Sequence, residues 1–524
     1  MERTAAAFVK QGAILAIASL LVRLMGFVYR IPLTNLIGDT GNAYYSAAYA
    51  VYTLVLVVSS GALTTSVSKL VSEHAAKGHY HNAQILFRTA TWFSIIIGFI
   101  AGLIVWFGAE YFAYILNYPN AKDAIRSLAP AVPIVAVMSV LRGFFQGIHT
   151  MIPTAISQIV EQIANVIFSI LLAYIFFDPE NLHMSAMGAT LGTSIAAFAG
   201  LIVAFGLYAL VRLPVLTRAW EARKTAPWIS KKSHLKAILK FFIPVILGLG
   251  ILSIGNIIDL NMAMSRLIYA GFEEEQAKIL VGQFAGKFVL LTSLPIALSV
   301  ALSQAVMPDI SASQTKGETR AVRRKINTAV RVSMAVTIPA TVALSVLADP
   351  ILALIFPNHS EGGQLFIYGA FAIIPMSIVQ ITTGALQGVG KPSLPIIGTI
   401  FGVAAKIPAN YVLISIYEIN IMGAVISTII CFSIVAIVNI YFVKIATSIT
   451  PRIISSMIKP AIAATVMGFA CYAVNTYTNV IMPERLSTVL AIFAGFIVYF
   501  LSMSLIKGFR KEDFISTPFA RFFA

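Results

Sequence analysis

Charge is what this 524-residue chain has least of: Asp, Glu, Lys and Arg make up 11% of it, against 58% for the apolar set. A soluble domain carries roughly a quarter charged residues, so a soluble globular fold is excluded. Cysteine is almost absent, and Cys431 and Cys471 both fall in apolar runs, which excludes a disulfide framework. Walker-type nucleotide loops, zinc-protease motifs and nucleophile elbows are missing as well. Acids are scarcest where they would matter most: of 21, only Glu161 and Asp259 fall within apolar runs.

What is present is a succession of runs of about 20 apolar residues, each long enough to cross a bilayer. They lie near 11–37, 44–72, 87–107, 124–147, 153–177, 185–211, 238–264, 281–307, 326–347, 363–387, 393–416, 421–443, 457–476 and 486–506. This pattern, with a mean hydropathy of +0.87, predicts an all-α polytopic membrane protein of about 14 transmembrane helices. The first run is too long for a cleaved signal peptide, holds Arg23 and Arg30, and lacks a small-residue cleavage site. Alternate connecting segments, with both termini on the first side, hold 25 Lys and Arg against 5 on the other. Basic residues are retained on the cytoplasmic side, so both termini are expected there. The net charge of +16 follows from those loops and suits anionic lipid headgroups rather than nucleic acid.

Three fragments recur. Gly143-Phe-Phe-Gln146-Gly147 returns as Gly384-Ala-Leu-Gln387-Gly388, each with a proline (Pro153, Pro395) opening the next run. Met187-Gly188-Ala189 with Thr193 returns as Met422-Gly423-Ala424 with Thr428, and Ser72 with Lys77-Gly78 as Ser311 with Lys316-Gly317. The shifts are 241, 235 and 239 residues, in preserved order. Two six-helix halves of like orientation follow, with two helices outside the repeat. The expected organisation is an N-terminal lobe over 1–211, a basic cytoplasmic linker over 212–237, a C-terminal lobe over 238–444, and two further helices with a tail over 445–524. Two bundles facing each other across a cavity are the architecture of an alternating-access transporter.

Charges inside the membrane carry the chemistry. Seven cations fall within the runs: Lys69, Arg142 and Arg331 near cytoplasmic ends, where they are expected to snorkel, and Arg23, Arg30, Lys287 and Lys406 deeper. A central charge costs about 2.5–3.5 kcal/mol even on lenient insertion scales, so four deep cations are not idle. Helical spacing sets Ser19, Arg23, Gly26 and Arg30 on one stripe, and Gln158, Glu161, Gln162 and Asn165 on another. Asn256 with Asp259, Gln283 with Lys287, Lys406 with Asn410, and Gln380 with Thr383 and Gln387 also share faces. Interhelical salt bridges from Glu161 or Asp259 to one deep cation each would still leave at least two cations without acids. A cavity with surplus positive charge suits an anionic ligand, and Arg suits phosphate.

Other features weigh less. His74, His79 and His81 in one loop read as solvated rather than as a metal site. Gly98/Gly102, Gly188/Gly192, Gly282/Gly286 and Gly398/Gly402 have the spacing of close helix contact. Tyr45, Tyr49 and Tyr52 fit an interfacial aromatic belt better than sugar contact.

Arg23-Leu-Met-Gly26-Phe-Val-Tyr-Arg30-Ile-Pro32-Leu with Leu36-Ile-Gly38 resembles the start of bacterial lipid-linked oligosaccharide flippases. So does Leu294-Pro295 with Ala301-Leu302-Ser303-Gln-Ala305-Val-Met-Pro308-Asp-Ile310-Ser311, and the Met-Gly-Ala and Gln-Gly repeats fit too. Over essentially the whole chain the resemblance is closest to the Gram-positive polysaccharide exporters that include lipid II flippases and stage V sporulation protein B. These belong to the multidrug/oligosaccharidyl-lipid/polysaccharide exporter superfamily. It implies a V-shaped two-lobe fold of fourteen helices, a non-enzymatic flippase, and a cationic cavity for a lipid pyrophosphate headgroup. Arg23 and Arg30 match the family's basic positions on the first helix, and Lys287 falls about where many lipid II flippases carry Arg. Two departures stand out: Ile31-Pro32 follows Arg30 where Gram-negative members often have an acid, and Lys287 replaces an Arg. The expected binding set is Arg23, Arg30, Lys287, Lys406, Glu161, Asp259, Asn256, Gln162 and Gln387, with no cofactor and no metal. The expected partners are a lipid-linked anionic saccharide and membrane lipids, with cell-wall synthesis proteins as further candidates and no nucleic acid. Two rivals stay open: a drug/cation antiporter of the same superfamily, which needs cavity acids, and a membrane-embedded glycosyl- or acyltransferase, which needs catalytic His or paired carboxylates.

Overall fold

Backbone amides in lipid have no water to bond, so a chain this apolar closes its hydrogen bonds within helices. The computed structural model describes residues 17–221, 230–315 and 317–508, and among the described residues helix is the only extended regular structure. Both termini and residues 222–229 of the expected linker lie outside the described residues. The helices run α1 (Ile17–Val28), α2 (Arg30–Leu56), α3 (Ala62–Ala76), α4 (Tyr80–Ile115), α5 (Lys122–Leu128), α6 (Ala131–Gly147), α7 (Ile152–Ile175), α8 (Leu182–Glu221) and α9 (Lys231–Tyr269). They continue as α10 (Glu274–Gly282), α11 (Val289–Thr315), α12 (Thr319–Val346), α13 (Ala348–Ile355), α14 (Gly363–Gly369), α15 (Ile373–Gly388), α16 (Leu394–Leu413), α17 (Met422–Thr447), α18 (Ile453–Thr478) and α19 (Glu484–Leu505).

Each of the fourteen expected runs is mainly helical where it is described, with turns inside two of them at Tyr29 and at Ala129–Pro130. Length and apolarity alone nevertheless single out eleven crossing helices, or twelve if the bent pair α1–α2 counts as one span. The expected run at 44–72 is divided. A π-helical segment, Val57–Gly61, splits it between α2 and α3, and α3 has only 15 residues. The expected gap at 38–43 is reduced to a break at Gly38, whose φ of 65° and ψ of −170° stop the helix without a Cβ penalty.

Packing divides the chain into two compact units, Met1–Met264 and Ser265–Ala524, and the division falls within α9. In the first unit α3 packs on α6, α4 on α6, α7 on α8 and α6 on α8. The second unit repeats the scheme one copy later: α11 on α15, α12 on α15, α16 on α17 and α15 on α17. Atomic detail repeats as well. Thr64 Oγ1 donates to the carbonyl of Ser139 at 3.1 Å, and Ser303 Oγ to that of Gln380 at 2.8 Å. A Cβ on Gly143 would stand 2.8 Å from the Thr64 carbonyl oxygen, and one on Gly384 3.1 Å from that of Ser303. Both glycines therefore serve backbone approach between paired helices. The turns match too: Gly78 and Gly317 take φ of 73° and 72°, each amide bonding the carbonyl three residues back.

Candidate functional site

The site is built from a break in the first helical path. α1 and α2 meet at Tyr29, bent by 42°, and Arg30 opens α2. Beyond Gly38 the same helix carries Tyr45, Tyr49 and Tyr52 at i, i+4, i+7, one face of a helix. The Arg30 guanidinium carbon sits 4.6 Å from the Tyr45 ring centroid and 5.8 Å from that of Tyr49, both cation–π distances. Tyr45 and Tyr49 stack at 4.5 Å, and Tyr52 meets Tyr49 edge-on at 5.8 Å. Tyr45 is fully buried and Tyr52 nearly so, so the tyrosines are not an interfacial belt. Their spacing allowed both arrangements; the break at Gly38 folds them back onto Arg30.

Hydrogen bonds hold the rings. Tyr29 Oη and Tyr45 Oη lie 2.5 Å apart. Thr193 Oγ1, on α8, donates to Asn165 Oδ1 on α7 at 3.1 Å, which leaves it accepting from Tyr49 Oη at 2.6 Å. Ser169 Oγ donates to the same Asn165 oxygen at 2.8 Å.

One turn away on α7, Glu161 is paired with Arg142 of α6 at 2.7 Å, and Arg142 Nε also donates to Ser157 Oγ at 2.9 Å. The guanidinium side chain is only 12% exposed, so Arg142 turns inward to an acid instead of snorkelling to the interface. Glu161 stands against Gly200 of α8, where a Cβ would approach its own Cβ to 2.9 Å, and it lies within electrostatic reach of Tyr52. Gln158 Oε1 is buried there with no hydrogen-bond partner among the described residues. Gln162 Nε2 packs on Gly26 of α1, 3.6 Å from where its Cβ would be. Neither Arg23, exposed on α1, nor Arg30, partly buried, has a carboxylate within ion-pair distance among the described residues.

The structure thus joins Arg30, Glu161 and Gln162 through the tyrosine face and α7. Asn256, exposed, and Asp259, partly buried, lie on α9 within the first unit. Lys287, Lys406 and Gln387 belong to the second. Lys287 is fully buried in a π-helical segment, Gln283–Phe288, and its Nζ donates to the carbonyl of Glu361 at 3.0 Å, tying the Phe356–Gly362 loop to the helix. Lys406 is partly buried on α16, and Gln387 is exposed in the last turn of α15. In the sequence alone Arg142 reads as an interfacial arginine, and nothing marks Tyr29 or Thr193 as part of the site. Arg142 and Glu161 are 19 residues apart on different helices, and no spacing rule links them. Among the described residues no group of three or more His, Cys, Asp or Glu could hold a metal ion.

The model of the family described as polysaccharide biosynthesis protein matches residues 8–314, and the MatE model matches 285–412. Lipid II flippase MurJ of Bacillus subtilis (strain 168) is 27% identical over 442 residues, covering 79% of this chain and 78% of its own length. Stage V sporulation protein B of the same organism is 24% identical over 520 residues, 98% of each chain. Among solved structures, lipid II flippase MurJ in an inward closed conformation superposes with a TM-score of 0.67 at 16% identity, covering 94% of this chain and 98% of that one. An inward-facing multidrug resistance MATE family transporter of the MOP superfamily gives 0.64 at 16% identity, covering 83% and 98%. The fold is therefore the one shared by these transporters, and the chain is a multi-pass membrane protein that belongs to the polysaccharide biosynthesis protein family.

Proposed function

We propose that this protein is an alternating-access flippase that carries an undecaprenyl-pyrophosphate-linked saccharide, lipid II or a close relative, to the outer leaflet of a bacterial cytoplasmic membrane. One observation carries the reading: Glu161, one of only two acids in the spans, is taken by Arg142, while Arg23 and Arg30 have no carboxylate partner among the described residues. Uncompensated guanidinium groups at membrane depth are costly unless an anion meets them, and their planar forks match phosphate oxygens. Arg23 and Arg30 hold the pyrophosphate. Gln162, Asn256 and Asp259 offer hydrogen bonds to the saccharide. Lys287, enclosed and bonded to the Glu361 carbonyl, acts by fixing its loop. Both termini face the cytoplasm, on the side that holds 25 basic residues against 5. The MurJ relative and the match to the polysaccharide biosynthesis family support this class of cargo.

The test is translocation of lipid II in proteoliposomes, read as headgroup accessibility from outside. Arg23→Ala and Arg30→Ala should each abolish it while the protein stays inserted, and Arg→Lys should restore only part. Normal translocation by both alanine variants would overturn the proposal. So would Na⁺-coupled drug efflux lost on Asp259→Asn, the behaviour of an antiporter of the same fold.

A further inference from the structure

The stacked tyrosines have counterparts in the second unit. A shift of 239 residues, the one that carries Thr64 onto Ser303, carries Tyr45 onto Phe284 and Tyr49 onto Phe288. Both pairs stack: 4.5 Å and 28° for the tyrosines, 5.7 Å and 17° for the phenylalanines. A stacked aromatic pair is therefore a packing element that the fold uses twice. Among the described residues, the hydroxyls and the guanidinium on the stacked rings belong to the first unit. Packing accounts for the rings and leaves those polar additions to be explained.

We infer that Tyr45 and Tyr49 are positioning residues that hold Arg30 ready for the pyrophosphate, an inference that rests on the proposed function above. A guanidinium over an aromatic ring uses its face for the cation–π contact, while its N–H donors point outward in its own plane. Tyr29 takes one of those donors. The remaining donors suit bidentate contact with phosphate oxygens. Each ring is itself fixed: Tyr45 by Tyr29, and Tyr49 by Thr193 and through it Asn165. The arginine is thereby tied to α7 and α8 as well as α2, and its rotamer freedom is removed before the ligand arrives. Preorganisation of this kind improves affinity by lowering the ordering cost of binding.

The experiment measures translocation against lipid II concentration in proteoliposomes. Tyr45→Leu should raise the half-saturating concentration about 5–30-fold with the maximal rate kept. Tyr45→Phe, which keeps the ring, should recover most of that loss. Thr193→Val removes the bond that fixes Tyr49 without touching a ring, and should raise half-saturation about 3–10-fold; it serves if Tyr45→Leu does not fold. Phe284→Leu is the packing control: it removes the equivalent ring and should lower thermal stability with half-saturation unchanged. An unchanged half-saturation in Tyr45→Leu or in Thr193→Val, or an equal rise in Phe284→Leu, would overturn the positioning role. Normal translocation by Arg30→Ala would instead overturn the functional reading itself.

Discussion

The Arg142–Glu161 pair gives the sharpest quantitative test, because it decides which cation owns the acid. At 2.7 Å the gross attraction of two unit charges is about 6 kcal/mol at an effective dielectric of 20. Desolvation cancels much of this, yet removing one partner of a buried pair still costs about 3–5 kcal/mol, because the other charge stays behind. Glu161 keeps 26% of its side chain exposed, so solvent screens it and the cost should fall to about 2–3 kcal/mol. Arg142→Gln and Glu161→Gln should each destabilise the detergent-solubilised protein by that amount in thermal or denaturant unfolding. The double variant should cost no more than either single one, a coupling of about 2 kcal/mol where independent sites add within about 0.5. Transport follows the same logic. Glu161→Gln should rescue a defect of Arg142→Ala but not those of Arg23→Ala or Arg30→Ala, which lack that acid as a partner. Additive stabilities, or recovery of Arg30→Ala by Glu161→Gln, would refute the assignment and return Glu161 to helix α1.

Gly143→Ala should cost about 1–3 kcal/mol, since its Cβ would lie 2.8 Å from the Thr64 carbonyl oxygen, whereas Gly206→Ala, with nothing within 4 Å, should gain up to about 1 kcal/mol. Equal shifts in melting temperature would show that the α3–α6 approach is loose. His234, in the first turn of α9 and 5.4 Å from the His74 ring, is pushed down to about 4 by burial and by the neighbouring His74. His74 is lowered as well, by burial and by His79 and Lys77, with Glu73 opposing. An unfolded histidine takes up its proton near 6.5 while the folded one does not, so stability should fall as pH drops from about 6.5 towards 4. His234→Leu should flatten much of that slope between pH 7 and 5; an unchanged slope would remove His234 as its source.

Much of this architecture was legible because lipid leaves the chain few options. Apolar runs of about 20 residues must be helices, and each of the fourteen is mainly helical where it is described. The repeat was legible from three fragments, and the paired bonds of Thr64 and Ser303 show that its shifts are those of the fold. What could not be read was partnership between helices. Arg142 near the end of a run looks like any snorkelling arginine until α7 is laid beside α6. Tyr45, Tyr49 and Tyr52 share a face under either reading, and only the break at Gly38 decides what that face meets. The split at Val57–Gly61 left no trace in hydropathy, because a π-helical turn changes hydrogen bonding and not composition.

Around the α6–α7–α8 crossing and its repeat, the two units share packing and differ in charge. The 241-residue shift that carries Gly143 onto Gly384 carries Arg142 onto Thr383, Glu161 onto Gly402 and Asn165 onto Lys406. Where the first unit has an ion pair, the second has Asn439 Nδ2 donating to Thr383 Oγ1 at 3.3 Å, and Gly402 against Val435. The helix crossing is the same in both: Gly200 clears room for Glu161 in one, and Gly402 for Val435 in the other. A crossing needs one small residue and does not specify which helix supplies it, so the larger partner was free to become an acid in only one copy. Equivalence also gives Lys406 a meaning that its depth in the membrane did not. It stands at the position of Asn165, where the first unit's tyrosine relay ends in a neutral amide. The fold therefore presents a cation at this register in the second unit, while in the first it places the cation on α2 and uses the register to anchor the rings beneath it. Arg30 and Lys406 therefore stand at inequivalent positions of the repeat, and losing one should not reproduce the defect of losing the other.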